Sequence, residues 1–108
     1  MGYYTAFSLN LPDGVEEEEL CKALGETQFL SGNVQYCKNL LYGCFIAEWY
    51  NNALDMEELS KKFPNKLFIL EGKGEDGDDI WKKYFKNGKS YFEKAQIIFK
   101  DFDESKLE

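Results

Sequence analysis

No histidine occurs anywhere in this chain of 108 residues. That absence removes the commonest general base, every Ser-His or Cys-His nucleophile arrangement, and imidazole as a metal ligand. Cysteine is scarce as well. Cys21, Cys37 and Cys44 are an odd count whose spacings match no zinc pattern, and they are expected to be reduced thiols buried as small hydrophobes. No apolar run approaches the roughly 18 residues of a membrane-spanning helix. The N-terminus also lacks the basic flank and long apolar stretch of a secretory leader. The expected setting is cytoplasmic, in a bacterial host cell, with no membrane contact.

What is present is aromatic and acidic. Nine Phe, seven Tyr and two Trp lift the aromatic share to 17% of a chain that is 44% hydrophobic. That is enough apolar area for one folded domain spanning residues 1–108. Twenty acids against thirteen basic residues leave a net charge of −7. The charge is segregated: residues 13–26 carry −5, residues 71–79 carry −4 and residues 101–108 carry −3, while residues 82–100 carry +5. A mainly acidic surface disfavours direct binding to DNA.

Along the chain, YYTAFSLN (Tyr3 to Asn10) alternates as a strand with Tyr3, Thr5, Phe7 and Leu9 on one face. Pro12, Asp13 and Gly14 stop it. Asp13 and Glu16 have capping-box spacing, and Glu16 to Glu19 suit the first turn of a helix that buries Leu20, Cys21 and Leu24 and ends at Gly25. After a turn at Ser31, Gly32 and Asn33, a strand over Val34 to Lys38 and a second over Gly43 to Tyr50 read as a hairpin. A second helix starts at Asp55 with Glu58 as its capping-box partner, buries Met56, Leu59 and Phe63, and stops before Pro64. The continuous run Leu67 to Leu70 suits a central strand covered on both faces. Ile80 to Lys86 is another strand, Asn87-Gly88 a hairpin turn, and Lys89 to Phe99 the returning strand, anchored by Ile97, Ile98 and Phe99. The expected fold is α+β: a ferredoxin-like antiparallel sheet in the order β-α-β-β-α-β, two helices on one face, and a C-terminal β-hairpin extension.

Gly72-Lys73-Gly74-Glu75-Asp76-Gly77 spells G-x-G-x-x-G after a strand, but a strand-like segment and two acids follow where a dinucleotide site needs a helix N-terminus. The acids of this loop lack the EF-hand spacing and read as solvated. Lys82, Lys83, Lys86, Lys89 and Lys94 interleave with Trp81, Tyr84, Tyr91 and Phe92 in the manner of a single-strand-binding platform. The preferred reading is that the lysines guard an exposed sheet edge while the aromatics enter the core, because the rest of the chain would repel a polyanion. No catalytic residue, cofactor site or metal site emerges.

The stretch LSKKFPNKLFILEGKGEDGDDIWKKYFKNGK (Leu59 to Lys89), and more faintly YYTAFSLN, resembles a group of small phage- and plasmid-encoded proteins related to the ferredoxin-like domain of YubB-type proteins. They share a helix, an FP pair, an apolar strand, an acidic GEGE-like loop, W-x-x-YF and NGK. The similarity covers about a third of the chain, and Lys73 stands where the loop usually carries an acid. The resemblance implies a mobile-element context and carries over no catalytic residues. The expected function is that of a non-enzymatic accessory protein, monomer or homodimer. It would inhibit a host defence or nucleic-acid-binding protein by protein–protein contact, with anti-CRISPR action as one form. The expected partner-binding residues are Glu16, Glu17, Glu18 and Glu19 with Glu75, Asp76, Asp78 and Asp79, joined as one acidic nucleic-acid mimic, and the aromatics Trp49 and Tyr50 as anchors outside the core. The alternative is a small-ligand or nucleotide-sequestering domain that uses the lysine hairpin.

Overall fold

A computed structural model describes residues 2–26 and 34–108. The elements are β1 (Thr5–Leu9), α1 (Glu17–Gly25), α2 (Val34–Tyr42), β2 (Phe45–Ala47), α3 (Asn52–Lys62), β3 (Phe68–Gly74), β4 (Ile80–Lys86) and β5 (Lys89–Lys94), with one 3-10 turn at Glu104–Lys106. The strands form one five-stranded sheet, β2-β1-β3-β4-β5, antiparallel at every pairing. Mixed α+β character, antiparallel pairing and the C-terminal hairpin agree with the expectation.

The element order differs at one place. Val34 to Lys38 lies in a helix, so among the described residues the order is β-α-α-β-α-β-β-β, and three helices rather than two cover the sheet. In that segment Cys37 and Leu40 are buried and Leu41 packs on the same core, which is spacing i, i+3, i+4 and therefore helical. With α2 in place of a strand, β2 pairs beside β1, in the register Phe7↔Phe45. The turn expected at Ser31 to Asn33 lies outside the described residues.

All the helices sit on one face, so each strand buries alternate residues. Thr5, Phe7 and Leu9 of β1 point inward as expected, as do Phe68 and Leu70 of β3 and Trp81 and Phe85 of β4. β3 is central but covered on one side only, since Leu67 is exposed and Ile69 half-buried. Leu20, Ala23 and Leu24 of α1 and Met56 and Leu59 of α3 complete the core. A fully buried side chain of this size contributes about 1.5–3 kcal/mol.

Trp81 holds the middle of that core. It lies directly opposite Gly72 on β3, where any Cβ would overlap the indole ring. Gly74 likewise lies against the Tyr3 phenol and the Asp79 carboxylate. Two glycines of the G-x-G-x-x-G string thus clear space for side chains within a strand, and β4 follows instead of a phosphate-binding helix.

Helix α1 starts at Glu17, after Glu16 in extended conformation, with no side-chain cap. α3 begins three residues before the expected Asp55, whose carboxylate accepts from the Trp49 indole Nε1 at 2.6 Å instead of capping the helix. The Asn87-Gly88 turn has φ of +53° and +80°, both in the left-handed region that a type I′ hairpin demands. Its tip is fastened to α3, the Gly88 N–H donating to the buried Ser60 Oγ at 2.8 Å.

Two expectations about cysteine are overturned. Cys21 on α1 and Cys37 on α2 are disulfide-bonded across 16 residues of chain, and Cys44 is unpaired and exposed rather than buried. Packing α1 against α2 brings together two thiols that are remote in sequence. Closing a loop of that length stabilises a fold by roughly 3 kcal/mol. Reduction, or Cys21→Ser, is therefore expected to lower the thermal midpoint by about 10 °C or more. Without reductant, alkylation should label Cys44 alone; three labelled thiols and an unchanged midpoint would contradict the staple.

Gly72→Ala is expected to cost about 1–3 kcal/mol through overpacking against Trp81, read as a shifted denaturant midpoint at constant slope.

Candidate functional site

The uncovered face of the sheet follows from register alone. One row across it joins Ile46, Ala6, Lys73 and Ile80, and the Ala95 N–H continues it by donating to the Ile80 carbonyl at 2.8 Å. A second row runs Ser8, Glu71, Lys82, Glu93, charged across three strands, with Lys82 and Glu71 paired at 3.3 Å. A third joins Ile69, Tyr84 and Tyr91, the two rings 6.3 Å apart. Small residues at Ala6 and Ser8 lower the floor beside Ile80 and Tyr84, leaving a hollow of about 630 Å³ that reaches Ala95 and Gln96. This face is amphipathic, a charged row flanked by two that are apolar except at Lys73. The alternation in β4 and the small residues in β1 were its signals in the sequence.

β5 ends at Lys94, short of the expected Phe99. Ile97, Ile98, Phe99 and Phe102, expected as a core anchor in part, are exposed by 53%, 80%, 87% and 70%. The Cα radius of gyration is 16.6 Å and the longest dimension 55 Å, where a compact chain of this length has a radius of about 13 Å. The terminal segment projects as an arm.

The expected acidic surface is divided. Leu9 pairs with Leu70 and Thr5 with Gly74, so α1, which follows Leu9, starts at one end of β1 and β3 while the loop at 75–79 lies at the other. The length of β3 separates them by roughly 20 Å. Glu16, Glu18 and Glu19 face solvent and Glu17 is half-buried, with its carboxylate bonded to the Tyr42 phenol. At the far end the acids turn towards the N-terminal segment. The Tyr3 phenol donates to Asp79 Oδ2 at 2.6 Å and accepts from the Asp76 N–H at 3.2 Å, and the Tyr4 N–H donates to Glu75 Oε2 at 2.7 Å. Asp78 is exposed. Nothing in the sequence pattern signalled this clasp, because it joins residues more than 70 positions apart.

The aromatic anchors divide as well. Trp49 is 2% exposed and packs edge-on to Phe7 at 5.3 Å, so it is a core residue and not an outward anchor. Tyr50 is exposed, and its hydroxyl accepts from the Tyr3 N–H at 2.6 Å.

The lysine hairpin does not form one platform. Lys82 points to the uncovered face, whereas Lys83 enters the helix side, lying 4.5 Å from the Trp81 ring centroid and donating to Asn52 Oδ1 at 2.7 Å. Burial pushes its ammonium below the usual lysine value, opposed by the charge of Asp79. Among the described residues no group of three or more His, Cys, Asp or Glu side chains gathers as for a metal ion. No family model, curated protein or solved structure matches the chain.

Hydrogen bonds to carboxylates raise three phenols above their ordinary value: Tyr3 through Asp79, Tyr4 through Glu48 and Tyr42 through Glu17. A raised value in the folded state means a contribution present below pH 10.0 and lost as pH rises through the folded value. Lys83, lowered, acts in the opposite sense: its desolvation cost is relieved as pH rises towards 10.5. Tyrosinate absorbance should therefore show a late-titrating group of phenols, and Tyr3→Phe should remove one of them. Uniform titration of all seven tyrosines near the ordinary value would contradict the clasps.

Proposed function

We propose that this is a non-enzymatic accessory protein that inhibits a host defence component by occupying its nucleic-acid groove, anti-CRISPR action being one form. The supporting observation is the direction in which charge is turned. Several lysines are spent within the molecule: Lys82 on Glu71, Lys62 on Glu26, Lys61 on Glu58, Lys66 on the Asp13 carbonyl and Lys83 against Trp81. The carboxylates of Glu16, Glu18 and Glu19, with Asp76 and Asp78 at the far end, face outward. A negative surface on a chain of net charge −7 is steered to a basic groove and repelled by nucleic acid itself.

The two foci have different parts. The α1 turn presents side chains to solvent, whereas Glu75 and Asp79 are committed to Tyr4 and Tyr3. The α1 turn is therefore the principal contact and Tyr50, exposed at the other end, a secondary one. The mobile-element context rests on the resemblance of Leu59 to Lys89 to phage and plasmid proteins. In this reading the protein works in the bacterial cytoplasm, where the Cys21–Cys37 disulfide is open to reduction. Among the described residues no helix is long and apolar enough to cross a membrane.

The test is competition for a purified nucleic-acid-targeting defence complex carrying labelled DNA. The protein should displace the DNA, less effectively as salt rises. The combined change Glu16→Lys, Glu17→Lys, Glu18→Lys and Glu19→Lys should weaken displacement about tenfold or more. Equal displacement by both proteins would remove the mimic reading.

A further inference from the structure

We propose that the C-terminal arm of one chain seats on the uncovered sheet face of a second copy, and the reverse, giving an arm-exchanged homodimer. The arm offers Ile98, Phe99 and Phe102, largely uncovered by its own body, and Ile97, about half covered. The face offers the hollow beside Ala6, Ser8, Ile80 and Tyr84. The arm's run is apolar, and the hollow is apolar at Ala6, Ile80 and Tyr84 beside its charged row of Glu71, Lys82 and Glu93.

The arm cannot turn back onto its own face as readily as it reaches another. No glycine, proline, asparagine, aspartate or serine occurs from Tyr91 to Lys100, so the residues that reverse a chain most easily are missing where the arm departs. Gln96 lines the hollow and is also where the arm departs, so a two-fold axis passing near Gln96 brings each arm to the other hollow. From Gln96 to Phe102 an extended chain spans about 20 Å, and from β5 to β1 three strand spacings span about 14 Å. The arm is long enough to cross the hollow.

Charge fits the same pairing. Asp101, Asp103 and Glu104 flank and follow Phe102 in the arm, and beyond the Lys82–Glu71 pair the face carries Lys73, with Lys86 and Lys89 towards the hairpin turn. The area fits as well. An aromatic side chain buries roughly 150–250 Å², so two arms with four large apolar residues each cover on the order of 1,000 Å² from the arm side alone, the lower range for a stable interface. A two-fold exchange also uses every arm and hollow, leaving no open end for further growth.

Sedimentation equilibrium on the full chain tests this. The expected result is a species of twice the chain mass that dissociates on dilution. Ile98→Asp with Phe99→Asp, at positions too exposed to disturb the core, should give a monomer with unchanged circular dichroism. A monomeric full chain at every concentration overturns the proposal. So does a dimer that persists in the arm variant, which would point to edge-to-edge pairing of β5. A face variant, Ala6→Glu with Tyr84→Asp, should also be monomeric, yet mixing it with the arm variant should restore a heterodimer through one intact seat. Failure of two folded variants to complement each other would exclude the arm-to-face contact. None of these readings depends on the DNA competition, so self-association and target binding stand or fall separately.

Discussion

The Trp81 indole lying across Gly72 is the contact through which most of the molecule is joined. From its place on β4 it meets Phe7 of β1 edge-on at 6.0 Å, crosses β3 at the glycine, approaches Phe92 of β5 at 6.4 Å and carries the Lys83 ammonium near its face. Four of the five strands meet at one ring. A side chain at position 72 would lift the ring and loosen all of these contacts together, which is why the glycine belongs to the packing and not to a ligand loop.

The position of that ring also decides what is left uncovered. With Trp81 and its neighbours facing the helices, the opposite side of β4 must carry Ile80, Lys82 and Tyr84, and β1 must carry Ala6 and Ser8. Of the three rows on that side, Ile69, Tyr84 and Tyr91 form an apolar one and Ile46, Ala6 and Ile80 another interrupted only by Lys73, an arrangement that a purely solvated sheet face does not need. The buried polar chain on the helix side, from Lys83 to Asn52, from Asn52 to the Trp49 carbonyl, and from the Trp49 indole to Asp55, gives the edge of the core satisfied partners. A lysine can therefore sit on a face otherwise occupied by Trp81 and Phe85.

Strong local signals were legible in the sequence. The alternation of β1, the stop at Pro64, the Asn87-Gly88 hairpin and the inward direction of Met56 and Leu59 could all be read from spacing. α2 was misread because five residues of alternation resemble a strand until Leu40 and Leu41 are included. The last apolar run was misread because Ile97, Ile98 and Phe99 have core composition, yet β4 begins at Ile80, whose carbonyl receives the Ala95 N–H, and no strand lies opposite thereafter. The acidic stretches are visible in the sequence one by one. Their separation depends on the β1–β3 register, which is a property of the assembled sheet. Trp49 shares the inward face of Phe45 and Ala47, so its burial was readable from alternation, whereas its bond to Asp55 was not.

The arm leaves as the continuation of β5, and the tip of that hairpin is pinned to α3 through Gly88 and Ser60. Interstrand bonds in an antiparallel pair run across the strands. A pull along the arm's own axis therefore loads the bonds between β4 and β5 in shear, many at once, while a sideways pull peels them singly from the Lys94 end. The same connection is mechanically stiff in one direction and weak in the other, and whatever grips the arm has its hold set by the angle of approach.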